Sequence, residues 1–267
     1  MSRPDSPGPR PGAAAQGEPL IRVLTLNMHK GFSAWNKRFV LHDLRAAIRH
    51  ADADVVLLQE VLGAHQEHST RWEHWPEQGQ YEFLADTVWS AFAYGKNAVY
   101  PEGHHGNAVL SKFPILHSRN HDVSTGDAEK RGLLHCQLDV PGWALPLHVV
   151  CVHLGLSEAQ RRDQITGLCE MVETDIDDRA PLLVGGDFND WRGRAHAPLA
   201  DRLGLREVFV ERHGKAARTF PVWWPLLRLD RVYVCNLSHT RAEVLHGRPW
   251  RTLSDHAPLT LDLTTTP

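Results

Sequence analysis

No apolar run in this chain approaches the roughly 20 residues a helix needs to cross a bilayer, which excludes a helical membrane span. Cysteine is sparse and unpaired in sequence: Cys136, Cys151, Cys169 and Cys235 stand singly, with no C-x-x-C motif. That argues against zinc binding or a disulfide framework. Cys151 and Cys235 fall in apolar strand-like runs and Cys169 on an apolar helical face, so they read as buried thiols of a cytoplasmic protein. Charge of one sign is lacking too. A net charge of -3 gives no global attraction to nucleic acid or anionic membrane, so any anion-binding surface must be local. There is no G-x-G-x-x-G, no G-x-x-x-x-G-K-[ST] and no H-E-x-x-H, which removes the common dinucleotide, P-loop and zinc-protease readings.

Residues 1–18 are rich in Pro, Gly, Ala and Ser without a hydrophobic signal segment, and are expected to form a disordered tail. No linker, low-complexity break or fixed repeat divides the rest of the chain, so residues 19–267 are expected to form one domain, acting as a monomer. Apolar periodicity predicts an opening strand over Ile21–Asn27, a helix over Asn36–His50 and a strand over Asp54–Gln59 buried on both faces. The Gly63–Gln80 stretch reads as a long surface loop. Ser157 and Gln160 form a capping-box pattern that opens a further helix, with Ile165, Leu168, Cys169 and Val172 on its apolar face. Strands outnumber helices without strict alternation, which favours a layered α/β or mixed-sheet α+β body over a (β/α)₈ barrel.

What the chain does have is a repeated placement of costly polar residues at the edges of apolar runs. Val23-Leu24-Thr25-Leu26 delivers Asn27, and Val55-Val56-Leu57-Leu58-Gln59 delivers Glu60. Leu147 to Val152 delivers His153, and Leu182 to Gly186 delivers Asp187 with Asn189 two residues on. Leu229-Asp230-Arg231 heads another strand, and Ser254-Asp255-His256 runs into Ala257–Leu263. Alone, Glu60, Asn27 or His153 would be an ordinary strand-end residue. Gly185-Gly186-Asp187-Phe188-Asn189 says more: two glycines would let backbone approach a ligand, and an extended segment would point Asp187 and Asn189 to one side. Asp230 is the expected buried partner of His256. Oxygen-rich groups with two imidazoles suit a hard divalent cation and hydrolysis of an anionic ester.

In order, Asn27, Gln59-Glu60, Gly106-Asn107, His153, Gly186-Asp187-Phe188-Asn189, Leu229-Asp230-Arg231 and Ser254-Asp255-His256 resemble the endonuclease/exonuclease/phosphatase superfamily, the DNase I-like metal-dependent phosphoesterases. The stretches 97–111 and 218–221 look like an uncharacterised bacterial branch of it. The resemblance implies a four-layer α/β/β/α sandwich of two mixed β-sheets, with the site where strand ends converge. It implies Mg²⁺ or Mn²⁺ held by Glu60 with Asn27 and Asp255. Asp187 would activate the attacking water and Asn189 would stabilise the phosphoryl group. Asp230 would hold His256 on the phosphate, and His153 would contact phosphate or leaving group. Asn107 and Arg231 would bind substrate.

The expected reaction is therefore hydrolysis of a phosphodiester, with DNA or RNA as first expected substrate on the likeness of His153 and Leu229-Asp230-Arg231 to DNase I. The alternatives are a phospholipid diester, as in the sphingomyelinases, and a phosphomonoester, because fold does not fix substrate. A non-catalytic binding protein would predict a damaged set, and the set is complete. Arg131, Arg161, Arg162, Lys215, Arg218, Arg228 and Arg231 form either a local cationic patch or a solvated surface. Phe220-Pro221-Val222-Trp223-Trp224-Pro225-Leu226-Leu227 should border the site. Trp223 and Trp224 either pack under the loop, stack on bases or enter a lipid interface.

Overall fold

Strands that are apolar on both faces need cover on both, and the chain supplies it with two stacked six-stranded sheets. The computed structural model describes residues 20–34, 37–65, 71–72, 74–126 and 130–266. The tail expected over residues 1–18 lies outside them, as does part of the loop expected over Gly63–Gln80. The first sheet holds β1 (Ile21–Asn27), β2 (Val55–His65), β3 (Ala91–Tyr100), β4 (Gly103–Ser111), β11 (Leu237–Val244) and β12 (Leu259–Thr265). Their order is β11-β12-β1-β2-β4-β3. The second holds β5 (Ile115–Asp122), β6 (Gly132–Leu138), β7 (Leu147–His153), β8 (Leu182–Asp187), β9 (Arg206–Glu207) and β10 (Asp230–Cys235), in the order β5-β6-β7-β8-β10-β9. Each sheet is mixed: β1 runs parallel to β2 and β7 parallel to β8, whereas β12 and β10 run antiparallel to them.

Alternate residues of the central strands enter different cores. Val23, Val55, Leu57 and Val109 meet Leu134, Val149, Cys151, Leu183 and Val232 between the sheets. Leu24, Leu26, Val56 and Leu58 face outward onto Leu41, Leu44 and Ile48 of α1 (Leu41–Ala51), beside α2 (Gln80–Ala85). On the far side Val150, Val152 and Val184 carry α3 (Glu158–Asp175) and α4 (His196–Leu203) through Ile165, Leu168, Val172 and Leu199. A last short helix, α5 (Val208–His213), closes onto β10. Three cores between four layers make the α/β/β/α sandwich of the expected class.

Local departures have local causes. The helix expected from Asn36 begins only at Leu41, because Phe39 pairs with Phe32 in an isolated bridge and fixes an extended approach. The strand expected to stop at Gln59 continues to His65. Ser157 and Gln160 do form the reciprocal capping box of α3. Cys136, Cys151 and Cys169 are buried free thiols, and burial pushes the Cys151 thiol up to about 12, which makes it inert. Among the described residues no helix is long and apolar enough to cross a membrane.

Candidate active site

Register brings the polar strand ends to one edge. The parallel pairs place Asn27 opposite Gln59 and His153 opposite Asp187, while antiparallel β10 begins with Asp230 opposite Asp187. Ser254 ties the last motif to the first: its hydroxyl donates to the Asn27 carbonyl at 2.7 Å and accepts the His256 N–H at 3.2 Å. Asn27, Glu60, His153, Asp187, Asn189 and His256 thereby line one cleft of about 420 Å³.

Glu60 reaches the cleft through a fault in the ladder. The β2–β4 register shifts between Leu58 and Val61, so Gln59 and Glu60 stand against Asn107 alone, and Glu60 has a left-handed φ of 56°. Such a bulge re-aims a side chain at the cost of local strain. It also explains why β2 outlasts its apolar run. Burial alone would raise the Glu60 carboxyl, but His153, Lys30 and the Asn27 amide outweigh it and hold it below its ordinary value. Asn27 Nδ2 donates at 3.1 Å to both Glu60 Oε1 and Asp187 Oδ2, and its Oδ1 accepts from the His29 N–H. In this arrangement Asn27 braces two carboxylates from between them.

Asp187 is fully buried among charged partners. Burial pushes its carboxyl up to about 6, with His256 opposing the rise and Asp230 adding to it. His153 Nε2 stands 3.7 Å from Asp187 Oδ2. The expected extended Asp187–Asn189 segment is corrected: the strand ends at Asp187, and Asn189 turns back at φ 50° so that its N–H donates to Asp187 Oδ1 at 2.8 Å. One Asn189 amide proton is taken by the Leu154 carbonyl at 2.9 Å. The reading of the glycines as room for a ligand is corrected as well. A Cβ on Gly186, at φ 141°, would lie 2.1 Å from the Val152 carbonyl, and one on Gly185 would meet Leu57 of the facing sheet. Both glycines serve strand and sheet approach. Gly186→Ala is therefore expected to cost about 1–3 kcal/mol or more, read as a lower urea midpoint; an unchanged midpoint would contradict this packing.

His256 Nδ1 donates to Asp230 Oδ2 at 2.8 Å, and its Nε2 lies 3.9 Å from Asp187 Oδ2. Burial works against the imidazolium, yet Asp230, Asp187 and Asp255 outweigh it and raise His256 to about 10. Ligating atoms of Asp187, Asp230 and His256 all lie within 4.8 Å of one another. A protonated imidazole has no lone pair for a metal, so this cluster suits a phosphate oxygen better than a cation. The donor set for a divalent ion centres instead on Glu60, an ionised hard oxygen aimed into the cleft beside the amide of Asn27, which suits a hard divalent cation. Asp255 sits at the margin, partly exposed, 4.0 Å from His29 Nδ1.

Other expected residues are placed elsewhere. Asn107 is fully buried between the sheets, where Nδ2 donates to the Gly132 and Cys151 carbonyls, so it supports the site from behind. Arg231 is buried too and donates to the Asp190 carbonyl at 3.0 Å, on the strand face opposite to its neighbour Asp230, and does not line the cleft. Trp223 and Trp224 are exposed outside the cleft, so the core-packing reading of those two residues fails; Phe220 and Leu227 of the same segment, and Leu229 just after it, do line it. Lys30, His105, Leu156 and Trp191 also line it and were not singled out by sequence. Lys30 arrives through two successive left-handed residues, His29 and Lys30, a turn with no periodic signature.

Known proteins resemble the chain over most of its length. A model described as the Endonuclease/Exonuclease/phosphatase family matches residues 24–256. A protein of Escherichia coli strain K12 named Uncharacterized protein YbhP is 57% identical over 243 residues, covering 91% of this chain and 96% of its own. Among solved structures, an endonuclease/exonuclease/phosphatase from Beutenbergia cavernae superposes with a TM-score of 0.75 at 20% identity, covering 92% of this chain and 72% of that one. The mannosyl-6-phosphatase Bt3783 of Bacteroides thetaiotaomicron superposes at 0.67 with 17% identity, covering 91% and 99%.

Proposed function

Since the chain belongs to the endonuclease/exonuclease/phosphatase family, we propose that it hydrolyses a phosphodiester bond by in-line attack of water in the cleft between its two sheets. The observation that carries this reading is the pairing of a base and an acid on one cleft wall. Asp187, raised toward neutrality, stands 3.9 Å from a His256 imidazolium that Asp230 keeps charged.

Each residue then has a task its surroundings suit. Asp187 takes a proton from the attacking water, a role its raised carboxyl fills near neutral pH. His256 donates from Nε2 to a phosphoryl oxygen as charge builds there, and Asp230 fixes its tautomer and orientation. Asn189 offers its remaining amide proton to the same group, and His153 reaches the phosphate or the leaving group. Lys30, His105 and Arg131, which also line the cleft, keep an anionic substrate seated. Glu60, with Asn27 beside it and Asp255 at the margin, would hold Mg²⁺ or Mn²⁺. When bound, that ion neutralises charge on the phosphoryl oxygens.

A substrate panel with Mg²⁺ or Mn²⁺ tests the reading: a small soluble aryl phosphodiester, single- and double-stranded DNA, RNA, phospholipids and phosphomonoesters. The monoester arm is included because one structural neighbour carries a phosphatase name. Diester hydrolysis is expected with metal, and Glu60→Ala should raise the metal concentration required. Undiminished turnover in excess chelator would overturn the metal assignment, and no hydrolysis of any ester would overturn the function.

A further inference from the structure

The cleft opens through an apolar rim. Of eleven large apolar residues exposed among the described residues, six lie on three loops at this edge: Leu156, Trp191, Trp223, Trp224, Leu226 and Leu227. They are between 37% and 75% exposed, and Leu156, Trp191 and Leu227 also line the cleft itself. The other five are scattered over β3, β5, α5 and a turn, which is ordinary for a protein surface.

The loop that carries four of the six is held in place. Phe220 pairs with Leu227, the Leu226 N–H donates to the Phe220 carbonyl at 2.9 Å, and the Val222 N–H donates to the Asp255 carbonyl at 2.7 Å. Arg251 donates to the Trp223 carbonyl at 3.1 Å. Its tryptophans and leucines are thus presented to solvent by a braced backbone. A braced apolar patch around a polar cleft marks a surface on which something docks.

Two features select the partner. Half of the rim is leucine, which has no π face for a base to stack on, whereas aliphatic side chains with tryptophan are what a lipid interface accepts. The charge pattern agrees. Cationic Lys30 and Arg131 lie inside the cleft; Arg192, 4.5 Å from the Trp191 ring, shares the single Glu158 carboxylate with Arg194, so two guanidinium groups stand there against one acid, and Arg251 donates to the Trp223 carbonyl. Apolar groups flanked by arginines match acyl chains below an anionic headgroup layer.

We propose that this rim docks the protein on an anionic phospholipid surface, and that the phosphodiester entering the cleft belongs to a lipid headgroup of that surface. The substrate half rests on the phosphoesterase reading above; the docking half stands without it.

The test uses the full chain with vesicles of phosphatidylcholine, with and without phosphatidylglycerol, and with oligothymidine as competitor. The wild type should sediment with vesicles containing phosphatidylglycerol, and brominated lipid should quench its exposed tryptophans. Leu226→Asp, a rim residue outside the cleft, should weaken sedimentation about tenfold, because a carboxylate replaces an inserted apolar group. It should hydrolyse the soluble aryl diester as the wild type does. Quenching in the wild type needs no variant, so a misfolded Leu226→Asp would leave the docking claim still decided. Wild type that stays in the supernatant, Leu226→Asp that sediments unchanged, or oligothymidine that displaces the vesicles would each overturn the docking. Vesicle binding with hydrolysis of the soluble diester but of no lipid would overturn the substrate half alone. Vesicle binding with no hydrolysis of any ester would overturn the phosphoesterase reading and leave the docking in place.

Discussion

Asp187→Asn is expected to lower turnover by roughly two to four orders of magnitude, the usual contribution of a positioned general base. The change keeps shape and removes the proton acceptor. It also exchanges one acceptor for a donor, so either the Asn27 amide or the Asn189 N–H loses its partner at about 1 kcal/mol. Against that loss, a buried carboxylate no longer has to be ionised. Asp187 lies raised in the fold, so its ionised form opposes folding above about pH 6 and this opposition lessens on acidification. The variant should therefore unfold within a few degrees of the wild type while remaining nearly inactive. Comparable turnover in wild type and Asp187→Asn would remove Asp187 from the mechanism.

The second large effect concerns the imidazolium. His256→Ala should cost about as much turnover as Asp187→Asn, because in the proposed mechanism it removes the donor to the phosphoryl oxygen. Asp230→Asn should cost less, since the imidazole remains, but it should move the pH profile. In the wild type, kcat/KM should rise with pH as Asp187 ionises near 6 and fall as His256 loses its proton near 10. Without the Asp230 carboxylate, whose attraction is the largest contribution raising His256, the alkaline limb should shift toward lower pH. Stability follows the same sign. A histidine raised in the folded state contributes stability that is complete below its unfolded value of about 6.5 and is lost as pH rises through about 10. Thermal unfolding across that window, in wild type and Asp230→Asn, gives an independent reading. An alkaline limb that stays in place would separate Asp230 from the charge on His256.

The apolar runs of β1, β2, β7 and β8, each ending in a polar residue, were legible because burial on both sheet faces writes a continuous pattern into sequence. The capping box of α3 was legible for another reason, being a contact between residues three apart. The edge strands were not. β5 is exposed along most of its length, and β3 and β11 alternate weakly, so nothing in their order of residues demands a sheet.

The sequence by itself determined the family, the layered fold and which polar residues end the central strands, because each of these depends on residue types along the strands. Only the tertiary structure decided where those side chains point. It set Asn27 as a brace between Glu60 and Asp187, aimed Glu60 through a bulge, and folded Asn189 back onto Asp187. It turned Arg231 away from the cleft and assigned the two glycines to packing. It also gathered Leu156, Trp191 and the Trp223–Trp224 loop, dozens of residues apart, into one rim. The reason is physical: periodicity reports burial along a single strand, whereas orientation at a strand's end is set by hydrogen bonds to partners that the fold alone brings near.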